Sequence, residues 1–300
     1  MTDKQNEQLN QAQQALKAGE TEKALKKLAT LNDEVDAYEV NLAYVKALTQ
    51  AENYTQALVI ANERRFEYQN SATGVELLIN LELKNGNFIN ARLLVESLPE
   101  IPKNRFQKNI HLSEHQALVS MPQTLRTRQQ HFFHLGDGGF IKQQRNFNDA
   151  VQLPLDLYLQ GSQFVLRDPF VKPIIKSSLV QVLVKLKINK EFKLLWLDNH
   201  EYPIIPAKFA TIETHPTVEH VYHVLQHKYE NNDPITYHMR LQQFNLQVAL
   251  LYPFINKAII DPQKWVAIMG TPRQGGEAPI VQEMRNWQER LNQILVQMGI

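Results

Sequence analysis

Ala24, Ala57 and Ala91 recur 33 and 34 residues apart. A turn-prone or polar residue stands five positions before each: Gly19, Glu52 and Gly86. Tyr54 and Phe88 stand three positions before the second and third alanines, and Thr21 takes that place in the first unit. A small residue at such a spacing lets two helices of a hairpin approach closely. The flanking apolar residues keep helical spacing: Leu9, Ala12 and Leu16, then Leu25, Leu28 and Leu31; Leu42, Val45 and Leu48, then Leu58 and Ala61; Val75, Leu78 and Ile79, then Leu94, Val95 and Leu98. A pair of short amphipathic helices cannot bury its apolar face alone, and stacked neighbours bury it. The spacing predicts three helical hairpins in series over residues 1–103.

This period, with its small and aromatic residues, resembles the tetratricopeptide repeat (TPR). The resemblance implies an N-terminal α-α superhelix of about three hairpins whose default role is to hold another protein. The match is partial, since the family's tryptophan, first glycine and terminal proline are missing from their expected places.

The rest of the chain reads differently. Pro99, Pro102 and Pro122 punctuate a helical bridge over 104–139, which ends in Gly136-Asp-Gly-Gly139. From 140 to 269 a mainly helical domain is expected. Asp168-Pro169, Asp233-Pro234 and Asp261-Pro262 each read as N-cap and first helical residue. The first pair should open a helix apolar on most faces, from Phe170 to Leu186, and two helices are expected at about 217–230 and 234–259. Two apolar runs flank the polar Asp198-Asn-His-Glu201 and predict a β-hairpin over 192–209, its second strand at an edge because of Pro203 and Pro206. Residues 270–300 are a linker and a helix. In that helix Ile280, Trp287 and Ile294 alternate with Met284, Leu291 and Met298 in a heptad seam. The seam either pairs with a second copy, docks in the chain's own groove, or packs on the C-terminal domain.

Taken whole, the chain resembles a group of cytoplasmic bacterial TPR proteins in which a short repeat array precedes a domain of helices and a β-hairpin. The residues that carry this are Asp168-Pro-Phe-Val-Lys-Pro173, Trp196, Ile204-Ile-Pro206, His215-Pro216 and Leu251-Tyr-Pro-Phe254. The resemblance implies a non-enzymatic adaptor.

Composition narrows the classes. The 300 residues include no cysteine, which removes disulfides and thiolate metal sites. The N-terminus is polar without an apolar signal core, and no apolar run reaches the length of a membrane span, so a cytoplasmic location and no membrane partner are expected. Net charge is +1 but uneven. Residues 1–102 carry ten Lys/Arg against fifteen Asp/Glu, residues 103–193 fourteen against six, and residues 194–300 eight against ten. Only the middle third suggests an anionic partner, through Lys172, Lys176, Lys185, Lys187, Lys190 and Lys193 around the expected helix and hairpin.

Chemistry-bearing motifs are sparse. His111-Leu-Ser-Glu-His115 has the H-x-x-E-H pattern of inverted zinc peptidases, but no acidic third ligand follows until Asp137. His220, His223 and His227 share one helix face, opposite Val218, Val221 and Leu225. Both clusters are weak metal candidates beside the simpler reading of solvated helix faces. Neither glycine-rich stretch has phosphate-loop spacing. No cofactor is expected. The leading expectation is an interaction scaffold that holds a peptide or helix in the repeat groove through Asn41, Tyr44 and Lys46 of the second hairpin and Asn80 and Lys84 of the third. The alternatives are a nucleic-acid-associated regulator using the basic middle third, and, last, a zinc hydrolase at His111 and His115.

Overall fold

A computed structural model describes residues 1–273 and 275–299. Among these the chain is mainly helical, with a single two-stranded antiparallel sheet. It divides into two compact units, residues 1–126 with 151–155, and residues 127–150 with 156 onward.

The first unit contains α1 (Asp3–Lys17), α2 (Thr21–Glu34), α3 (Tyr38–Gln50), α4 (Tyr54–Glu63), α5 (Arg65–Gln69), α6 (Ala72–Lys84), α7 (Phe88–Glu96) and α8 (Glu100–Ser120). The pairs α1/α2, α3/α4 and α6/α7 pack as hairpins. Their three turns are built alike. The N–H groups of Glu20, Asn53 and Asn87 donate to the carbonyls of Ala15, Leu48 and Glu82 at 2.9, 2.9 and 2.8 Å. The residue before each donor is left-handed: Gly19 at φ 80°, Glu52 at φ 58° and Gly86 at φ 72°. This is the Schellman closure, which satisfies the last carbonyls of the first helix and reverses the chain. Five residues on, Ala24, Ala57 and Ala91 are all fully buried, and a larger side chain there would push the helices apart.

Glu52 is the one non-glycine residue among these turns. A left-handed L-residue costs roughly 1–2 kcal/mol, part of which glycine gives back through its freer unfolded chain. Glu52→Gly should therefore raise the free energy of unfolding, read from the denaturant midpoint, by about 0.5–1 kcal/mol. Gly19→Ala should lower it by about 1 kcal/mol. Equal midpoints for wild type and Glu52→Gly would show that the turn stores no strain.

α8 belongs to this unit, because Phe106 and Ile110 enter its core. The bridge expected over 104–139 is therefore divided at residue 126, within α9 (Pro122–Phe133). Pro122 does not merely end α8; it opens α9.

The second unit continues with α10 (Phe140–Asp149), α11 (Leu155–Val165) and α12 (Pro173–Lys185), then strands β1 (Phe192–Leu195) and β2 (Glu201–Ile204). α13 (Pro216–Tyr229), α14 (Pro234–Leu251), α15 (Ile255–Ala258), α16 (Pro262–Ile268) and α17 (Pro279–Met298) follow. α12 is the apolar helix of this unit, with Ile175, Leu179, Val180, Leu183 and Val184 buried. It starts later than expected. Asp168 accepts the Phe170 N–H at 2.8 Å and closes a turn, and Pro173 then opens the helix. Asp233 and Asp261 do cap α14 and α16, accepting the N–H groups of Thr236 and Lys264, both at 3.0 Å. The helix expected through 259 stops at Leu251, since Pro253 has no N–H to continue it. The strands pair Phe192 with Ile204 and Leu194 with Tyr202, and Pro203 faces Lys193 on the edge strand. The hairpin ends at Ile204 rather than 209 because Pro206 begins a short 3-10 turn.

Candidate functional site

The residues expected to face a groove separate into two classes. Asn41 and Tyr44 are buried, which corrects their assignment as partner contacts. Asn41 Nδ2 donates to the Ile60 carbonyl at 3.0 Å, and Tyr68 donates its hydroxyl to Asn41 Oδ1 at 2.9 Å. Asn41 thus ties α3 to α4 and α5. The Tyr44 hydroxyl accepts from Gln56 Nε2 at 3.3 Å, and burial, with Asp33 and Glu63 adding to it, holds this phenol above its usual pKa. Lys46, Asn80 and Lys84 are exposed on α3 and α6. The Lys84 ammonium lies 5.1 Å from the centre of the Tyr54 ring.

The H-x-x-E-H pattern lies on α8 with its ends outside and its middle inside. His111 and His115 are exposed, whereas Glu114 is buried. Arg92 grips that carboxylate with both arms of its fork, Nε to Oε1 at 2.9 Å and Nη2 to Oε2 at 2.7 Å. The Leu155 N–H adds a third bond at 3.1 Å. A base for hydrolysis needs a free lone pair near solvent, and this carboxylate is occupied as a structural acceptor. His220, His223 and His227 are exposed on α13, with Val218, Val221 and Leu225 turned inward. Among the described residues no group of three His, Asp or Glu side chains is placed to hold a metal ion.

The basic segment does not form one open stripe. Lys176 is buried, and Lys185 Nζ donates to Glu213 Oε1 at 2.9 Å.

The heptad seam of α17 is occupied by its own unit. Met284 and Leu291 are fully buried, Ile280, Trp287, Ile294 and Met298 are half-buried, and α17 packs on α14, α15 and α16. The Trp287 ring centre lies 5.1 Å from that of Trp196 at the end of β1. Within the second unit the seam follows the third of its expected readings, a helix packed on the C-terminal domain. A single apolar stripe wanted a partner surface, and the neighbouring helices supply it.

A cavity of about 320 Å³ opens in the second unit between α12, the hairpin and α17. Val171, Leu250 and Ile294 give it apolar walls. Its charged lining is cationic, Lys176 and Arg290, while its neutral polar lining, which includes Ser177, Trp196, Asn199, Gln293 and Gln297, mixes donors with acceptors. Lys176 Nζ donates to the Leu195 carbonyl at 3.3 Å. Burial pulls this ammonium down to a pKa of about 8, with Asp168 opposing the shift. Arg290 donates to the Leu197 carbonyl. Ser177 Oγ and Trp196 Nε1 are buried and find no hydrogen-bond partner among the described residues. Sequence reasoning missed this site by counting Lys176 with the other lysines of a basic segment open to an anionic partner. The signal was there: Lys176 stands three, four and seven residues before Leu179, Val180 and Leu183, on the core face of α12.

No family model matches the chain, and neither does any curated protein or solved structure.

Proposed function

We propose that the chain is a non-enzymatic scaffold whose N-terminal unit is a TPR-like superhelix holding a peptide or helix of a protein partner. The observation that carries this reading is the threefold use of one hairpin design: the same turn closure and the same buried alanine at matching positions. Repeats of one unit stack into extended surfaces, and such surfaces recognise chains rather than perform reactions. Lys46, Asn80 and Lys84, exposed on α3 and α6, are the side chains assigned to partner contact. Two are cations on a unit whose first 102 residues are acidic overall, so they mark positions where an acidic or carbonyl-rich segment would be received.

The test is capture from bacterial lysate with the full chain as bait, beside the variant carrying Lys46→Glu, Asn80→Ala and Lys84→Glu. The expected result is a protein recovered by the wild type at least tenfold more than by the triple variant. Identical recovery by both, or no protein above background, overturns the reading.

A further inference from the structure

The cavity between α12, the hairpin and α17 has a chemistry of its own. Its charged lining residues are both cations, Lys176 and Arg290, and no carboxylate stands among the lining residues. Two backbone carbonyls, Leu195 and Leu197, take one bond each from Lys176 and Arg290. An ammonium carries three donors and a guanidinium five, so each cation has donors beyond that bond. A carboxylate accepts such bonds with both oxygens and balances the buried ammonium. The apolar walls at Val171, Leu250 and Ile294 suit a hydrocarbon body attached to it. The volume of about 320 Å³ is that of a small-molecule pocket rather than of a single water.

We propose that this cavity binds a small organic carboxylate. Lys176 receives the anionic head, and Val171, Leu250 and Ile294 cover its apolar body. Arg290, on α17, adds a second positive charge at the cavity wall. The site lies wholly within the second unit, so it stands apart from peptide binding by the repeats.

Butyrate, hexanoate and benzoate are the probes, titrated into the full chain by calorimetry and followed by tryptophan fluorescence. All three tryptophans lie in the second unit, and Trp196 lines the cavity. At least one carboxylate should bind saturably, one per chain, with Kd in the millimolar range or tighter, roughly what six to nine heavy atoms supply. Benzyl alcohol, which keeps the ring and loses the charge, should bind at least tenfold more weakly than benzoate. Inorganic phosphate, which has the charge without the body, should do likewise. Lys176→Met should weaken the carboxylate at least tenfold, and Arg290→Gln about three- to tenfold. The two changes lie on different helices, so a folding defect in one variant leaves the other to decide. Equal binding of benzoate and benzyl alcohol overturns the proposal, as does carboxylate binding unchanged in folded Lys176→Met. No saturable binding by any of the three carboxylates up to about 10 mM assigns the cavity to water and overturns it as well.

Discussion

Arg92→Ala should destabilise the first unit by about 3–5 kcal/mol, the cost of leaving a buried charge without its partner. The Glu114 carboxylate keeps only 9% of its side-chain surface exposed and the Arg92 side chain 11%. Both arms of the guanidinium are engaged, so the alanine variant strips two charge-assisted bonds from the carboxylate and leaves it the Leu155 N–H alone. Glu114→Gln should cost less, about 1–3 kcal/mol, because the amide keeps the shape and one acceptor. Replacing both residues by apolar ones of similar volume should fall well short of the sum of the single losses, since no charge is then stranded. The first unit holds no tryptophan, so far-UV circular dichroism in urea is the measurement. A loss below about 1 kcal/mol for Arg92→Ala would mean that water reaches Glu114 and the pair acts as a surface bridge. The same experiment bears on the peptidase-like motif. His111→Ala and His115→Ala remove exposed side chains and should change stability by less than about 0.5 kcal/mol. Glu114 is fixed by the Arg92 fork and the Leu155 N–H, and His111, with Nδ1 3.8 Å from Glu114 Oε2, stands at the exposed edge of that pair.

What the sequence disclosed and what it hid follow from how each residue earns its place. The alanine period was legible because close helix approach admits only small side chains, whatever surrounds them. The turns before Ala24 and Ala91 were legible because Gly19 and Gly86 suit left-handed backbone. Glu52 adopts the same conformation without that signal. α10 escaped notice for a reason of another kind. Its pattern is inverted: Gln143 and Asn146 are buried while Ile141 is 83% exposed. Gln143 lies inside because it serves backbone. Its Nε2 donates to the carbonyls of Gly138 and Phe170 at 2.8 and 3.0 Å, and its Oε1 accepts the Lys172 N–H at 2.9 Å. Asn41 misled in the same way, as an amide that looks solvated and is spent on the ends of neighbouring helices. Periodicity reads apolar burial. It is blind to polar side chains whose partners are backbone groups distant in sequence, and Lys176, bonded to the Leu195 carbonyl, is another of them.

Lys176→Met should raise the stability of the second unit at pH 7, by an amount that shrinks and then changes sign as pH rises. In the folded protein the ammonium titrates at about 8, against an ordinary value near 10.4. Between those values the unfolded chain binds more protons than the folded one, so wild-type stability climbs with pH across the window. Below about pH 8 the cost of burying the charge is fully present, at most about 3 kcal/mol. Losing the bond to the Leu195 carbonyl returns about 1 kcal/mol of it, so the variant should gain about 1–2 kcal/mol at neutral pH. Tyr158 and Tyr252, whose phenols burial holds well above their usual range, act in the opposite sense. They lose a proton first in the unfolded chain, and stability falls above about pH 10. Tryptophan-monitored urea unfolding of both proteins from pH 6.5 to 9.5 isolates Lys176 as the difference between two curves. Parallel curves would mean that the ammonium is solvated. A charge that costs folding energy at a cavity wall is the pattern of a binding group, held against the interest of stability. A bound carboxylate narrows the difference, for it stabilises the wild type by mass action and has no ammonium to meet in the variant. At pH 7, then, the less stable of the two proteins without ligand should gain more on adding the carboxylate that binds it, and the gap between them should close as its concentration rises.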